Sequence, residues 1–247
     1  MIKLSERLTH IANQVSVGEV VADIGCDHAL TDIYIIEKGI AKHAIAMDVR
    51  PGPLEHAKNN VKTYNVKDKI SIRLSDGLDN LKPNEADSII ISGMGGNLIR
   101  NILTRGEEVL KTVTELILSP QKEPNVVREY LYNNGFYIDR EEMVKDAGKY
   151  YVIIHAINEN ASEKYTKHFI NSKEKIVPET EEDYIYGVLL KGSKDKVFFE
   201  FINGELKKCD MAIKSIEKKG TSASLDKLKE LIKSRDNILK IIEEMSD

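Results

Sequence analysis

Hydrophobic positions change period along this chain in a regular order. Leu4, Leu8, Ile11 and Val15 recur at helical spacing and predict an amphipathic helix over residues 3–15. An apolar run from Glu19 to Ile24 then reads as a strand buried on both faces, followed by a helix over 28–38 that Gly39 stops. His43 to Asp48 predicts a second strand, and Pro51 to Asn65 a helix opened by prolines. Ile70, Ile72 and Leu74 alternate as a third strand. Ala86 to Ser92 is a fourth, nearly all apolar, and Leu98, Ile99, Ile102 and Leu103 mark the helix after it. Glu115 to Ser119 predicts a fifth strand and Pro124 to Asn134 a helix closed by Gly135. Phe136 to Val144 and Lys149 to Asn158 form an antiparallel pair around Ala147-Gly148.

The pattern changes after Glu159. Residues 160–190 mix charges around Pro178 and read as a linker or docking segment. Two long helices follow from Lys194, split by Gly220-Thr221-Ser222. The first carries Phe198, Phe201, Ile202, Leu206, Cys209, Ile213 and Ile216 on one stripe, and the second Leu225, Leu228, Ile232, Leu239 and Ile242. That 3-4 spacing, with Arg235 in one seam slot, predicts an antiparallel coiled-coil hairpin. Residues 1–159 and 160–247 are therefore expected to form two domains, the first α/β and the second a helical hairpin.

Candidate chemistry gathers where strands meet helices, because open α/β sheets bind ligands at their carboxyl edge. The first strand ends in Asp23-Ile24-Gly25-Cys26-Asp27-His28-Ala29, in which Gly25 lets a ligand approach backbone. With Gly25 as first glycine of a dinucleotide fingerprint, Asp27 stands where the second belongs. A pyrophosphate would meet a carboxylate there, whereas a ligand carrying an amine and a sulfonium, S-adenosylmethionine, would be attracted. Asp23, Gly25, Cys26, Asp27 and His28 are thus candidate cofactor residues. Asp48, about twenty residues on at the tip of the second strand, with Val49 beside it, is placed to accept both ribose hydroxyls. Asp76-Gly77 after the third strand is placed to hold an adenine. The fourth strand runs into Gly93-Met94-Gly95-Gly96, where three glycines in four residues mean that something sits close to backbone. The order of strands and the closing hairpin are those of a seven-stranded methyltransferase sheet, in which the last strand inserts antiparallel.

Composition narrows the classes. With 41% hydrophobic residues and no apolar run near the ~20 needed for a membrane span, the chain of 247 residues reads as a cytoplasmic protein without a membrane segment. Cys26 and Cys209 lie far apart without metal-ligand spacing, so neither a disulfide nor a metal site is expected. The net charge of −4 argues against nonspecific coating of nucleic acid but leaves room for a local basic face.

The blocks Asp23-Ile24-Gly25-Cys26-Asp27-His28-Ala29, Ser92-Gly93-Met94-Gly95-Gly96-Asn97-Leu98-Ile99 and Ala147-Gly148-Lys149-Tyr150-Tyr151, followed by a helical hairpin, resemble the bacterial TrmK family of tRNA (adenine-22-N1) methyltransferases. The likeness covers nearly the whole chain. It departs at Leu30-Thr31-Asp32, where the family usually has Tyr-Leu-Pro. The resemblance implies a Rossmann-like AdoMet-dependent domain, a C-terminal coiled coil, and methylation of an adenine in the tRNA D-arm. Adenine N1 has a free lone pair at neutral pH, so the reaction requires alignment rather than a strong base. Ser92, Gly93 and Met94 are then expected to form the base slot, with Ser92 and Gly93 carbonyls accepting from the adenine amine. Gly93 also borders the cofactor. Asp27 either offsets the charge that develops on the base or holds the AdoMet amine. Tyr150 and Tyr151 are candidates for stacking on a base, and the chain is expected to act as a monomer or weak homodimer. A methyltransferase acting on another RNA or a small molecule, and a tRNA-binding protein without catalysis, are the competing readings.

Overall fold

The computed structural model describes residues 2–16, 18–160, 177–219 and 225–246. The chain divides into two compact units, Met1–Val177 and Pro178–Asp247. The expected boundary after residue 159 abuts residues 161–176, which lie outside the described residues.

The first unit is built on a seven-stranded sheet. Its strands are β1 (Val20–Ile24), β2 (His43–Asp48), β3 (Ile70–Leu74), β4 (Ser88–Ser92), β5 (Glu115–Ser119), β6 (Phe136–Asp146) and β7 (Lys149–Asn158), in the order β3-β2-β1-β4-β5-β7-β6. Strands β1 to β5 are parallel, and β7 lies antiparallel between β5 and β6, as the closing hairpin predicted. The order reverses between β1 and β4, the place where the carboxyl ends of a parallel sheet open a crevice. Helices α1 (Glu6–Gln14), α2 (Leu30–Lys38), α3 (Pro51–Thr63), α4 (Gly96–Arg105), α5 (Glu107–Leu110) and α6 (Pro124–Asn133) surround the sheet.

Several boundaries fall inside the expected ones, for local reasons. Helix α1 starts at Glu6 because the Ser5 hydroxyl caps it, accepting from the Leu8 N–H at 3.4 Å. Strand β4 starts at Ser88 because the Asp87 carboxylate turns back to accept from the Glu19 and Val20 N–H groups, each at 2.9 Å. Helix α3 stops at Thr63 and leaves Asn65 in the left-handed region, at φ 56°.

One buried polar cluster ties the sheet together. A bulge in β6 at Asp139 brings that carboxylate to His155 Nδ1, while His155 Nε2 meets Glu115 at 2.7 Å. The Ser16 and Ser88 hydroxyls donate to the same Glu115 carboxylate at 2.5 and 2.8 Å. Burial pushes the Glu115 carboxyl up, but the hydrogen bonds from His155 and the two serines outweigh it and hold it below its ordinary value. For His155, burial acts downward, and Asp139 and Glu115 together outweigh it, so the imidazole stays raised.

The second unit contains α7 (Glu181–Tyr186), α8 (Val188–Lys191), α9 (Lys196–Lys219) and α10 (Leu225–Ser246). The two short helices were not expected from the linker-like composition of residues 160–190. Helix α7 is fixed by a capping box between Thr180 and Asp183. Cys209 Sγ reaches the Leu231 carbonyl at 3.3 Å, which pairs α9 with α10 as an antiparallel hairpin. On α9 the expected stripe is inward, with Phe198, Ile202, Cys209 and Ile213 buried. On α10 the seam is shifted. Leu225 and Leu239 are exposed, at 56% and 40%, and Ile238 and Ile241 are buried instead. Positions 231, 235 and 238 share the inward face at 3-4 spacing, and Leu239 falls outside it.

Candidate functional site

A cleft of about 390 Å³ opens at the carboxyl ends of β1, β2, β3 and β4, within the size range of small-molecule sites. The cofactor and base-slot candidates all line it: Asp23, Gly25, Cys26, Asp27 and His28 of β1 and its loop, Asp48 and Val49 at β2, Asp76 and Gly77 after β3, and Ser92, Gly93 and Met94 at β4; Tyr150 and Tyr151, the stacking candidates, do not.

The loop after β1 turns sharply. Gly25 has φ 79°, and Asp27 and Ala29 also occupy the left-handed region, at φ 52° and 55°. For side-chain-bearing residues that conformation costs about 1–3 kcal/mol each and persists where the surroundings over-determine it. Here the Gly25 and Cys26 N–H groups both donate to the Met47 carbonyl, at 2.8 and 2.9 Å, and the Ala29 N–H donates to the Cys26 carbonyl at 2.9 Å. These bonds pull the loop against β2 and leave the Asp27 and His28 side chains partly exposed, 3.4 Å apart. The His28 ring meets His56 edge to face at 4.9 Å. Cys26 is buried, and burial pushes its thiol well up, so it is a neutral wall.

Beneath the loop lie two buried carboxyls, Asp23 on β1 and Asp32 in the first turn of α2. Burial pushes Asp23 up to about 7; a hydrogen bond from Asp32 acts downward and the charge of Asp48 upward. Asp32 is also raised well above its ordinary value, again by burial first and then by the charge of Asp23. No fixed donor reaches either Asp32 oxygen. The two acids are therefore matched only when a proton lies between them.

Asp48 is buried at the tip of β2, where its Oδ1 accepts from the Arg50 N–H at 2.8 Å. Its carboxylate retains acceptor capacity for a diol. Asp76 is half exposed and held by Arg105, with Nη1 to Oδ2 at 3.1 Å and Nη2 to Oδ1 at 3.0 Å. That guanidinium lowers the Asp76 carboxyl.

The glycines sort by what they meet. A β-carbon on Gly77 would stand 3.0 Å from Ile102, so Gly77 is small to admit a helix side chain. One on Gly96 would stand 2.1 Å from the Glu123 carbonyl, and the Gly96 N–H donates to the Lys122 carbonyl at 2.9 Å. The close neighbour inferred from the glycine cluster is thus partly the protein's own backbone. Gly93, at φ 76°, would carry a β-carbon in ordinary contact with Gln121 and Arg7, at 3.7 and 3.9 Å, so its backbone conformation rather than crowding favours glycine there.

Sequence reasoning missed Arg7, Leu8 and Arg50, which also line the cleft. Arg7 carried a signal: it shares the helical face of Leu4, Leu8 and Ile11, where a charge interrupts an apolar stripe. Its guanidinium lies 4.9 Å from the Tyr151 ring centroid, and Lys145 lies 5.3 Å from that of Tyr150. Each tyrosine suggested for base stacking thus already carries a cation against its ring. Among the described residues no cluster of His, Cys, Asp and Glu suits a metal ion, and no helix is long and apolar enough to cross a membrane.

The family model described as "Methyltransferase domain" matches residues 4–154. In sequence, the chain is 39% identical over 153 residues to the tRNA (adenine(22)-N(1))-methyltransferase of Bacillus subtilis, an alignment spanning 62% of this chain and 64% of that protein. In structure, it superposes on the B. subtilis M1A22 tRNA methyltransferase TrmK with a TM-score of 0.81 and 31% identity, covering 98% of this chain and 100% of that one. It superposes equally well on the Streptococcus pneumoniae protein Sp1610 in complex with S-adenosyl-L-methionine, with a TM-score of 0.82, 29% identity and coverage of 97% and 100%. Since the likeness extends through both units and the cleft is formed by the blocks that prompted it, the chain belongs to the TrmK family of AdoMet-dependent methyltransferases.

Proposed function

We propose that this protein transfers the methyl group of S-adenosylmethionine to N1 of adenine 22 in the D-arm of tRNA. The observation that carries this reading is the end-to-end likeness to the B. subtilis M1A22 enzyme, joined to an acidic cleft at the sheet's switch point.

The residues present fit the cofactor. Asp48 would hold the ribose hydroxyls, and Asp76, whose oxygens keep lone pairs beyond those used by Arg105, would accept from the adenine amine. Gly25, Cys26, Asp27 and His28 would border the methionine arm, and Val49, Gly77 and Gly93 would wall the adenosine and sulfur regions. S-adenosylmethionine supplies the electrophilic methyl. The protein's part is to hold the adenine, whose N1 lone pair is free at neutral pH, in line with the methyl, and alignment of this kind can lower a barrier by ~7–11 kcal/mol. Ser92 and Gly93 would offer carbonyl acceptors to the adenine amine. The Met94 carbonyl is already engaged by the Gln121 N–H at 2.8 Å, so Met94 contributes its side chain as an apolar wall. Asp27, largely exposed at the mouth, offsets the positive charge that develops on the base. The reaction needs no metal, and we place it in the cytoplasm, carried out by a monomer or weak homodimer.

Incubation with unmodified tRNA and labelled S-adenosylmethionine, followed by mapping of the label, tests this. Label at N1 of adenine 22, absent from tRNA carrying guanine there, is the expected result. Label on another nucleotide, or none, overturns it.

A further inference from the structure

Asp32 is fully buried in the first turn of α2, and among the described residues no fixed donor reaches either of its oxygens. Its neighbour Thr31 lines the cleft, and so does Asp23, the acid buried with it on β1. Two carboxylates in one dry wall repel each other and lack solvation, so a proton is the charge that suits the pair. The cations around the cleft are committed elsewhere. Arg50 is engaged by Asp48, its Nε 3.5 Å from Oδ1, Arg105 holds Asp76, and Arg7 of α1 lies against the Tyr151 ring. His28 stands 3.4 Å from Asp27, and His56 of α3 meets the His28 ring. The other titratable groups at this wall, Asp48 and the Cys26 thiol, bring no positive charge. Asp32 also falls in Leu30-Thr31-Asp32, the stretch at which this chain departs from its family.

On the methyltransferase reading given above, the cleft receives two ligands that differ by one charge. S-adenosylmethionine has a sulfonium, an ammonium and a carboxylate and is a cation overall. S-adenosylhomocysteine, its product, has a thioether in place of the sulfonium and is neutral overall. A cation in the cleft favours the fully ionised pair, and a neutral ligand favours it less. We infer that Asp32, acting through Asp23, makes the cleft sensitive to cofactor charge: binding of the sulfonium form releases a proton from the buried pair, which distinguishes substrate cofactor from product. Charge balances through the cycle. The cofactor brings one positive charge as the proton leaves to solvent. The adenine N1 lone pair then forms the new bond to the methyl, the carbon–sulfur pair stays on sulfur, and the positive charge passes to the base. Once the methylated base departs with that charge, the pair takes a proton back. Since binding of the cation releases a proton, preference for S-adenosylmethionine over S-adenosylhomocysteine rises with pH. Burial pushes the Asp23 carboxyl up to about 7, which puts this linkage in the neutral range. Asp32 touches neither ligand and is a positioning residue.

Calorimetric titration of the full-length protein at pH 7, in phosphate and in Tris, tests this. The two buffers differ in ionisation enthalpy, so the difference in binding heat counts the protons released. The parent is expected to release about half a proton with S-adenosylmethionine and clearly less with S-adenosylhomocysteine. Between pH 6 and pH 8 its preference for the first ligand is expected to rise about threefold to tenfold. In Asp32→Asn the amide donates to Asp23 without a shared proton, so both ligands still bind, the two proton counts become equal and the preference no longer changes with pH. Asp32→Pro carries the residue usual in the family, in a first helical turn where proline is tolerated, and is expected to behave in the same way. A merely structural role for Asp32 would weaken both ligands alike and leave the proton counts as they are in the parent, which overturns the inference. Equal counts for the two ligands in the parent also overturn it, and the methyltransferase reading then stands. If the parent binds neither ligand, that reading falls as well.

Discussion

Asp32 and Asp23 are buried together beneath the cofactor loop, where burial raises both carboxyls and a proton shared between them would match the pair. The folded-state value of Asp23, pushed up to about 7 from 3.8, means that the folded protein binds more protons than the unfolded chain across that interval. The stability associated with the pair is present at low pH and is lost as pH rises from about 4 to about 7. In Asp32→Asn the amide donates to Asp23 without a shared proton. The variant is expected to unfold at higher urea than the parent at pH 7, with the difference shrinking towards pH 4.5. A difference that does not change with pH removes the shared proton.

Asp48→Ala is expected to weaken S-adenosylmethionine by about 1–3 kcal/mol, because charge-assisted hydrogen bonds to the ribose vanish. Asp48 is buried at a strand tip, so the melting temperature of the ligand-free variant serves as a control. Calorimetry that finds unchanged affinity takes Asp48 out of the site.

Two adjacent glycines should behave differently. Gly96→Ala drives a methyl into the Glu123 carbonyl and is expected to destabilise the protein by about 2 kcal/mol or more. Gly95→Ala meets nothing closer than Glu123 Oε2 at 4.0 Å, at an ordinary φ of −72°, and is expected to be nearly neutral. Thermal unfolding of the pair decides the matter.

The buried His155 adds an alkaline limit. Its raised value contributes stability that is complete below about 6.5 and is lost as pH rises through the folded-state value. His155→Leu leaves Glu115 and Asp139 without their shared cation, at a cost of about 3–5 kcal/mol. Denaturant curves at pH 6 and pH 9 should converge for parent and variant on the alkaline side.

The hairpin helices carry lysines, yet Lys208, Lys227 and Lys240 are paired with Glu205, Glu230 and Glu244 on the same helices. Removal of Pro178–Asp247 is expected to leave S-adenosylmethionine affinity intact and to abolish most tRNA binding, and binding by the full chain is expected to fall with salt. A shortened protein that methylates tRNA as well as the full chain would make the hairpin a packing device.

The sheet was legible because each strand is an apolar run bounded by turn residues, and strands β2 and β5 begin and end where the pattern placed them. The cleft was legible because its acids and glycines sit at strand tips, where topology alone brings them together. Three features were hidden. Arg7 comes from a helix that precedes the sheet. The role of Gly96 depends on Glu123, a neighbour in space alone. The α10 seam is a choice between adjacent isoleucines and leucines, Ile238 over Leu239, that hydrophobicity cannot make.

Helix α1 is anchored by residues synthesised long after it. His10 and Gln14 bond Glu142 on β6, Ser16 bonds Glu115 at the head of β5, and Arg7 rests on Tyr151 of β7. On the ribosome, α1 can pack on α2 early, but these polar anchors cannot form until β5, β6 and β7 have emerged. The cleft wall formed by Arg7 and Leu8 of α1 therefore takes its final place after the strand tips that face it.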